Sequence, residues 1–447
     1  MVHLLMNRSE VLHLVGRSEA AVADLEHGLA LARGLSDLRA QADCLLQLSQ
    51  FQAVLNRFRE MESYASEALE IEESLGSKTG MAACLNNIAT SLAYRGRHRE
   101  ALDKLDRALA LHRDIDDPYG LSYTLGNIGF VNGLIGENRP ALERHRQALE
   151  LRRRLGDRRA EATTLDNIGA ALFKLGEIGE ALDNFERSLA IRLEIGDRTG
   201  QATCLNNIGY VRSLSGDFRS TVECYEKAMK IRRETGDQVG YALILQNAAL
   251  LQFQFGDYRL AQAQSEQAME IRQRLGDRAG QAYSQVTLAR ILAETGDRKR
   301  ALELLGDAAE IAAEIEENEI QLRVAVSLAD ISLAGRDHKQ AEEQVARAIE
   351  LSGKLGSKLG LIQTALLQAR IDSALGRHEE AEKGFLDAIS RYQELKQPFE
   401  VAKACYRFSE TLKDRGLKEQ AGEYSARAKI IFTEIGARGW LKRMEAV

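Results

Sequence analysis

Apolar and small residues in this chain fall on helical stripes, and the stripes come in pairs. Over residues 197–236 the first stripe takes Ala202, Leu205, Ile208, Gly209, Val211 and Leu214, the i, i+3, i+4 spacing of a helix with one buried side. Gly216-Asp217 interrupts it. A second stripe takes Val222, Tyr225, Ala228, Met229 and Ile231 and stops at Gly236-Asp237. A glycine just past a helix end can adopt the left-handed conformation, and the aspartate after it can cap the next helix. The pattern predicts a helical hairpin that cannot bury both of its faces alone.

The hairpin recurs every 40 residues, marked by Gly96, Gly136, Gly176, Gly216, Gly256 and Gly296. That period predicts eleven hairpins without insertion or deletion: residues 1–36, then units of 40 from 37 to 436. Residues 437–447, ARGWLKRMEAV, read as a short amphipathic capping helix in which Trp440 covers the last hairpin. The expectation is one solenoid over 1–436, not the several globular domains that 447 residues would otherwise suggest. No matching cap precedes Met1, so the chain is either a piece of a larger protein or capped by its own first hairpin. The first reading is preferred, because terminal repeats need a polar outer face. Asp116, Glu316 and Lys396 replace the glycine before the capping position. The junction near 316–320, where EIEENEIQL lacks the Gly-Asp break, reads as a change of curvature or as mere degeneration of the repeat.

Small residues predict how closely the helices pack. Gly129, Gly169 and Gly209, with Ala89, Ala249 and Ala289, hold one position of the first helix. Ala101, Ala141 and Ala181 lie twelve residues after Ala89, Gly129 and Gly169, and Ala108, Ala148 and Ala228 hold a position seven further on. This is tetratricopeptide repeat (TPR) spacing. It implies an all-α fold, a right-handed α-solenoid of TPR hairpins.

In a stack of such hairpins the first helices line the concave side. One position there reads Asn87, Asn127, Asn167, Asn207 and Asn247, with Asn86 and Asn206 preceding two of them. Asparagine costs a helix roughly 0.6 kcal/mol relative to alanine. Its amide can both donate to and accept from an extended peptide backbone. The alternative, that these amides bond neighbouring helices and lock repeat to repeat, stays open. Tyr94, Tyr123, Phe130, Phe173, Tyr210 and Phe253 fall on the same face and suit a cleft. Peptide binding is therefore expected over about 77–276. Further on, Arg290, Arg323, Arg370, Lys403, Arg407 and Lys413 appear with Asp330, Glu410 and Asp414. They read as solvated charges on an open surface, or as contacts for an acidic ligand segment.

Composition removes other classes. Sixty basic against 66 acidic side chains leave a net charge of −6, the wrong bias for a nucleic-acid binder. No stretch reaches the ~20 apolar residues of a membrane span, and the opening MVHLLMNRSEVLHLV has no basic n-region of a signal peptide. Cys44, Cys84, Cys204, Cys224 and Cys405 form no CxxC and read as buried packing residues in a cytoplasmic protein. His98, His338 and His378 share a packing position at the start of the second helix. No HExxH, GxSxG or phosphate-binding loop occurs, so no enzyme, metal or cofactor is expected. Basic runs such as Arg152 to Arg154 and Arg232-Arg233 read as cations at helix C-termini.

The GDRRAEATTLDNIG and GDRTGQATCLNNIG segments at 156–169 and 196–209 resemble the 40-residue TPR subclass of the Pins/LGN polarity adaptors. The Leu85-Asn86-Asn87 and Leu205-Asn206-Asn207 steps are similar to kinesin light chain repeats, and the unit also resembles TPR arms of bacterial signalling proteins. The resemblance implies that the concave groove holds an extended peptide and that Asn87, Asn127, Asn167, Asn207 and Asn247 contact its main chain. The expected function is a non-enzymatic scaffold for a protein partner. Alternatives are a sensory or autoinhibitory arm of a multidomain protein, self-association through the end hairpins and, weakest, RNA binding.

Overall fold

The computed structural model describes residues 1–14 and 17–445. Residues 15–16 of the first repeat and 446–447 of the expected cap lie outside them. The chain forms two compact units, residues 1–191 and 192–447. The first holds α1 (Val2–Leu14), α2 (Ser18–Gly34), α3 (Leu38–Val54), α4 (Phe58–Ser74), α5 (Lys78–Tyr94), α6 (His98–Asp114), α7 (Pro118–Leu134), α8 (Asn138–Leu155), α9 (Arg158–Leu175) and most of α10 (Ile178–Glu194). The second holds α11 (Arg198–Leu214), α12 (Phe218–Glu234), α13 (Gln238–Phe255), α14 (Tyr258–Arg274), α15 (Arg278–Thr295), α16 (Arg298–Glu314) and α17 (Asn318–Ala334). It continues through α18 (His338–Lys354), α19 (Lys358–Ala374), α20 (His378–Glu394), α21 (Pro398–Asp414), α22 (Lys418–Glu434) and α23 (Arg438–Glu445). Every regular element among the described residues is a helix, and the helices pair as tetratricopeptide hairpins.

The turns follow from the Gly-Asp pairs. Gly216 and Gly236 are left-handed, with φ of 80° and 72°. Asp217 Oδ1 then accepts the Ser220 N–H at 3.2 Å, and Asp237 Oδ1 accepts the Gly240 N–H at 2.7 Å. Each such cap stabilises its helix by about 1 kcal/mol. Asp116, Glu316 and Lys396 take the left-handed conformation in glycine's place. The turn at EIEENEIQL therefore persists, with Glu317 capping α17 through the Glu319 N–H.

Packing within a hairpin depends on what faces the small residue of the first helix. A Cβ on Gly129 would lie 2.6 Å from the His145 ring, one on Gly169 2.8 Å from Phe185, and one on Gly209 2.7 Å from Tyr225. Each ring sits where a side chain would otherwise be. Where the first helix carries Ala89, the partner is the smaller Leu105 in the same core cluster. In these hairpins the bulk on the second helix complements the small residue on the first, which keeps the contact closely packed.

Packing between hairpins uses a second glycine and a buried polar column. Arg152, Arg192, Arg232 and Arg272 near the ends of their second helices are each at most 9 % exposed. They lie at helix C-termini, as the basic runs suggested, and are in addition buried. Each guanidinium folds over the start of the next first helix. Arg272 donates to the Gly280 carbonyl at 2.7 Å and to Ser284 Oγ at 2.9 Å. Arg232 pairs with the capping Asp237 and donates to Thr203 Oγ1 at 2.7 Å. Gly240 and Gly280 leave the room: a Cβ on either would fall within 2.8 Å of the arginine side chain. Where Ala312 stands in the arginine's position, Ile320 stands in the glycine's, and both are fully buried in one apolar cluster.

The second unit closes on itself. Ile435 and Pro398 press on Gly216, where a Cβ would come 2.7 Å and 3.2 Å from them. Gly439 of α23 meets Gly256 backbone to backbone, with no room for a Cβ on either. Arg443 donates to Glu294 at 2.8 Å across 149 residues of sequence. Trp440 stacks on Phe432 with ring centroids 5.3 Å apart. One apolar cluster runs from Phe218 and Tyr225 through Phe399 and Phe432 to Trp440.

Two outcomes are expected of the first unit. G169A gains about 1 kcal/mol of helix propensity but overpacks the Phe185 ring by roughly 2–3 kcal/mol, a net loss of about 1–2 kcal/mol. Denaturant unfolding should show that loss shrink when F185L is combined with it, and equal losses in both backgrounds would contradict the contact. Burial, helped by Arg152, lowers the His145 pKa from 6.5 to about 4. Its neutral form favours the fold, so its contribution is complete above pH 6.5 and is lost as pH falls towards 4, by on the order of 3 kcal/mol. The unfolding temperature of H145F should fall less steeply than the wild type's over that window; parallel profiles would refute the assignment.

Candidate binding cavity

The first helices of the second unit carry their inward-facing residues to one place. Residues of α11, α13, α15, α17, α19 and α21, joined by Trp440 and Arg443 of α23, line a cavity of about 1370 Å³. The inward face follows from helical period: Tyr210, Leu250, Arg290, Asp330, Arg370 and Glu410 hold one repeat position, and all line the cavity. Closure at Gly256 and Gly439 places α23 across from them.

Of the sequence-predicted residues, Tyr210, Asn247 and Phe253 line this cavity. Asn206 is 7 % exposed and accepts from Asn247 Nδ2 at 2.8 Å, while its own amide lies 3.5 Å from Asn207 Oδ1. In the first unit Asn127 Nδ2 donates to Asn86 Oδ1 at 2.9 Å, and buried Asn86 also reaches Thr124 Oγ1 at 2.9 Å. These four amides bond one repeat to the next. Asn87 is buried with no partner for its Nδ2, and Asn167 is half-buried. Tyr94, Tyr123 and Phe130 are 56 %, 48 % and 37 % exposed, and Tyr94 stacks on Phe58 at 4.5 Å. Phe173 is half-buried.

The charges beyond residue 280 are gathered, not spread over an open surface. Arg290, Arg323, Arg370, Lys403, Arg407, Asp330, Glu410 and Asp414 line the cavity, and Lys413 is exposed off it. Most are paired. Arg323 pairs with Glu319 at 3.1 Å, Arg407 with Glu410 at 3.0 Å, Lys403 with Glu400 at 3.7 Å, and Arg370 with Asp330. Burial alone would raise the Asp330 carboxyl, but Arg370, Lys403 and Arg407 hold it below its ordinary range. Burial also pushes the Tyr283 hydroxyl up to about 12. Sequence reasoning passed over Tyr283, although it holds the repeat position of Tyr123 and the period points to it. Tyr392 and Gln397 also line the wall, and no periodic signal marks them.

No described helix is long and apolar enough to cross a membrane. All five cysteines are buried.

A tetratricopeptide repeat family profile matches residues 80–154, 160–234, 200–274 and 240–314. A profile of anaphase-promoting complex subunit 5 matches residues 330–409. No curated protein sequence matches the chain. Among solved structures, the apo quorum sensor NprR from B. thuringiensis is similar at 15 % identity and a TM-score of 0.54, over 79 % of this chain and 99 % of that one. Aspartyl phosphate phosphatase F from Bacillus subtilis is similar at 12 % identity and a TM-score of 0.50, over 78 % of this chain and 92 % of that one. Apo RapI is similar at 15 % identity and a TM-score of 0.50, over 62 % of this chain and 99 % of that one. At these identities the likeness is one of fold. The profile covers just over half of the chain, and the same capped turns and glycine contacts continue beyond residue 314: the chain belongs to the tetratricopeptide repeat family.

Proposed function

We propose that this protein is a non-enzymatic scaffold that binds an extended segment of a partner protein along the face of its first helices. The observation that carries the reading is the convergence of six first helices on one cavity with an aromatic, amide and paired-charge lining. Its volume of about 1370 Å³ exceeds the roughly 300–1,000 Å³ of pockets for drug-sized molecules. A peptide fits that size better. Tyr210, Phe253 and Tyr283 supply rigid contact area, and Asn247 on the same lining supplies an amide oxygen that can accept from a peptide backbone. In the first unit Asn87 and Asn167, with exposed Tyr123 and Phe130, carry the same chemistry. Five buried cysteines, and no helix among the described residues long and apolar enough to cross a membrane, agree with a cytoplasmic setting.

Peptides selected from a random display library against the full chain provide the test, with affinities read by fluorescence anisotropy. The triple variant Y210A/F253A/Y283A, all three on the cavity lining, should weaken their binding by tenfold or more while keeping its helical content. R219A, on a side chain that is 92 % exposed, should bind as the wild type does. Undiminished binding by the triple variant would refute the reading.

A further inference from the structure

Among the cations on the first-helix wall, one lacks what the others have. Arg323, Arg370, Lys403 and Arg407 each face a carboxylate. Arg290 makes no hydrogen bond or ion pair among the described residues; its guanidinium lies over the Phe253 ring, 5.3 Å from the centroid. The cause is visible in the repeat position it shares. Arg370 takes the carboxylate one repeat before it, Asp330, whereas the residue one repeat before Arg290 is Leu250. The acids nearest Arg290 are already engaged: Asp330 by Arg370, Glu400 by Lys403 and Glu294 by Arg443.

The same cavity contains the completed arrangement. Arg323 lies over the Tyr283 ring at 5.3 Å and holds Glu319 at 3.1 Å, so ring, guanidinium and carboxylate form a set of three. Arg290 over Phe253 is that set without its carboxylate. A guanidinium withdrawn from bulk water and left without an anion is costly, and a ring face offsets only part of the cost. An incoming anion would meet a cation already positioned, at little cost in side-chain order. Around it Leu250, Val286, Leu366 and Leu367 give an apolar wall, and buried Tyr392 Oη and Gln397 Oε1 on the cavity lining have no hydrogen-bond partner.

We infer that the cavity of the second unit recognises an amphipathic anion, its carboxylate, sulfonate or phosphate group pairing with Arg290 and its aromatic or aliphatic body lying on Phe253 and the apolar wall. The inference rests on the reading that the first-helix face binds ligand, and it names the ligand chemistry: one negative group beside an apolar body, whether a free small molecule or an acidic residue of a bound segment.

Two small fluorescent probes test it on the full chain without any peptide. Anilinonaphthalene sulfonate carries the anionic group, and N-phenylnaphthylamine is its neutral counterpart. The wild type should bind the sulfonate at least about tenfold more tightly than the neutral probe. R290M should erase that preference while leaving the neutral probe's affinity unchanged, and R290K should recover part of it. Displacement by N-acetylphenylalanine but not by its amide would identify the carboxylate as a ligand group, and displacement by phenyl phosphate the phosphate. Equal binding of both probes to the wild type, or a preference that survives R290M, overturns the inference. Failure of the display-library peptides to bind would instead count against the extended-segment reading, because neither probe depends on it.

Discussion

How closely two helices can approach where one of them has no side chain decides the architecture at each level. Inside a hairpin, Gly169 admits the Phe185 ring and Gly209 admits Tyr225. Between hairpins, Gly240 and Gly280 admit a buried arginine that bonds the cap and carbonyls of the next helix. At the closure of the second unit, Gly256 and Gly439 bring two backbones together. In all three places the missing Cβ is replaced by a partner group that fills the space, as close packing requires. In the first unit the partner's size follows the small residue, with a ring opposite Gly129 and Gly169 and a leucine in the cluster of Ala89.

The cavity is a consequence of that closure. First-helix residues that would face open solvent in a short stack are instead brought opposite one another, with α23 among them. Water is reduced there, and opposite charges interact more strongly than on a free surface. Most of the charged groups respond by pairing, three cations with an acid of their own helix and Arg370 with Asp330 of the repeat before it. The pairs contribute little net stability once desolvation is counted, but they set the chemistry of the wall. Arg290 remains as the cation whose repeat neighbour, Leu250, offers nothing to it.

Much of the fold was legible because it is periodic. The Gly-Asp pairs marked turn and cap together, and the 40-residue recurrence of small residues predicted the hairpins and their family. Even the junction at Glu316, which lacks the glycine, keeps the left-handed turn. What was not legible is what periodicity cannot encode. Gly256 looks like an ordinary turn glycine and Gly439 like a residue of a short terminal helix, and nothing local says that they meet. For the same reason the cations after residue 280 read as a solvated surface, since only closure makes them line a cavity. The asparagines were visible but ambiguous: Asn86 and Asn206 bond to the next repeat, while Asn247 both does this and lines the cavity. The arginines were rightly placed at helix C-termini, but their burial was not legible because a cation there already has a sufficient local explanation.

Closure of the second unit on itself is the claim on which the cavity, its paired charges and the unpaired Arg290 all depend. It is tested most directly by zero-length carbodiimide cross-linking of R443K, which places an amine beside the Glu294 carboxylate that Arg443 contacts at 2.8 Å. Mass spectrometry of the monomer band should find the peptide pair joining residues 294 and 443. Absence of that pair from the monomer, or its presence only in cross-linked dimers, would contradict the closed unit.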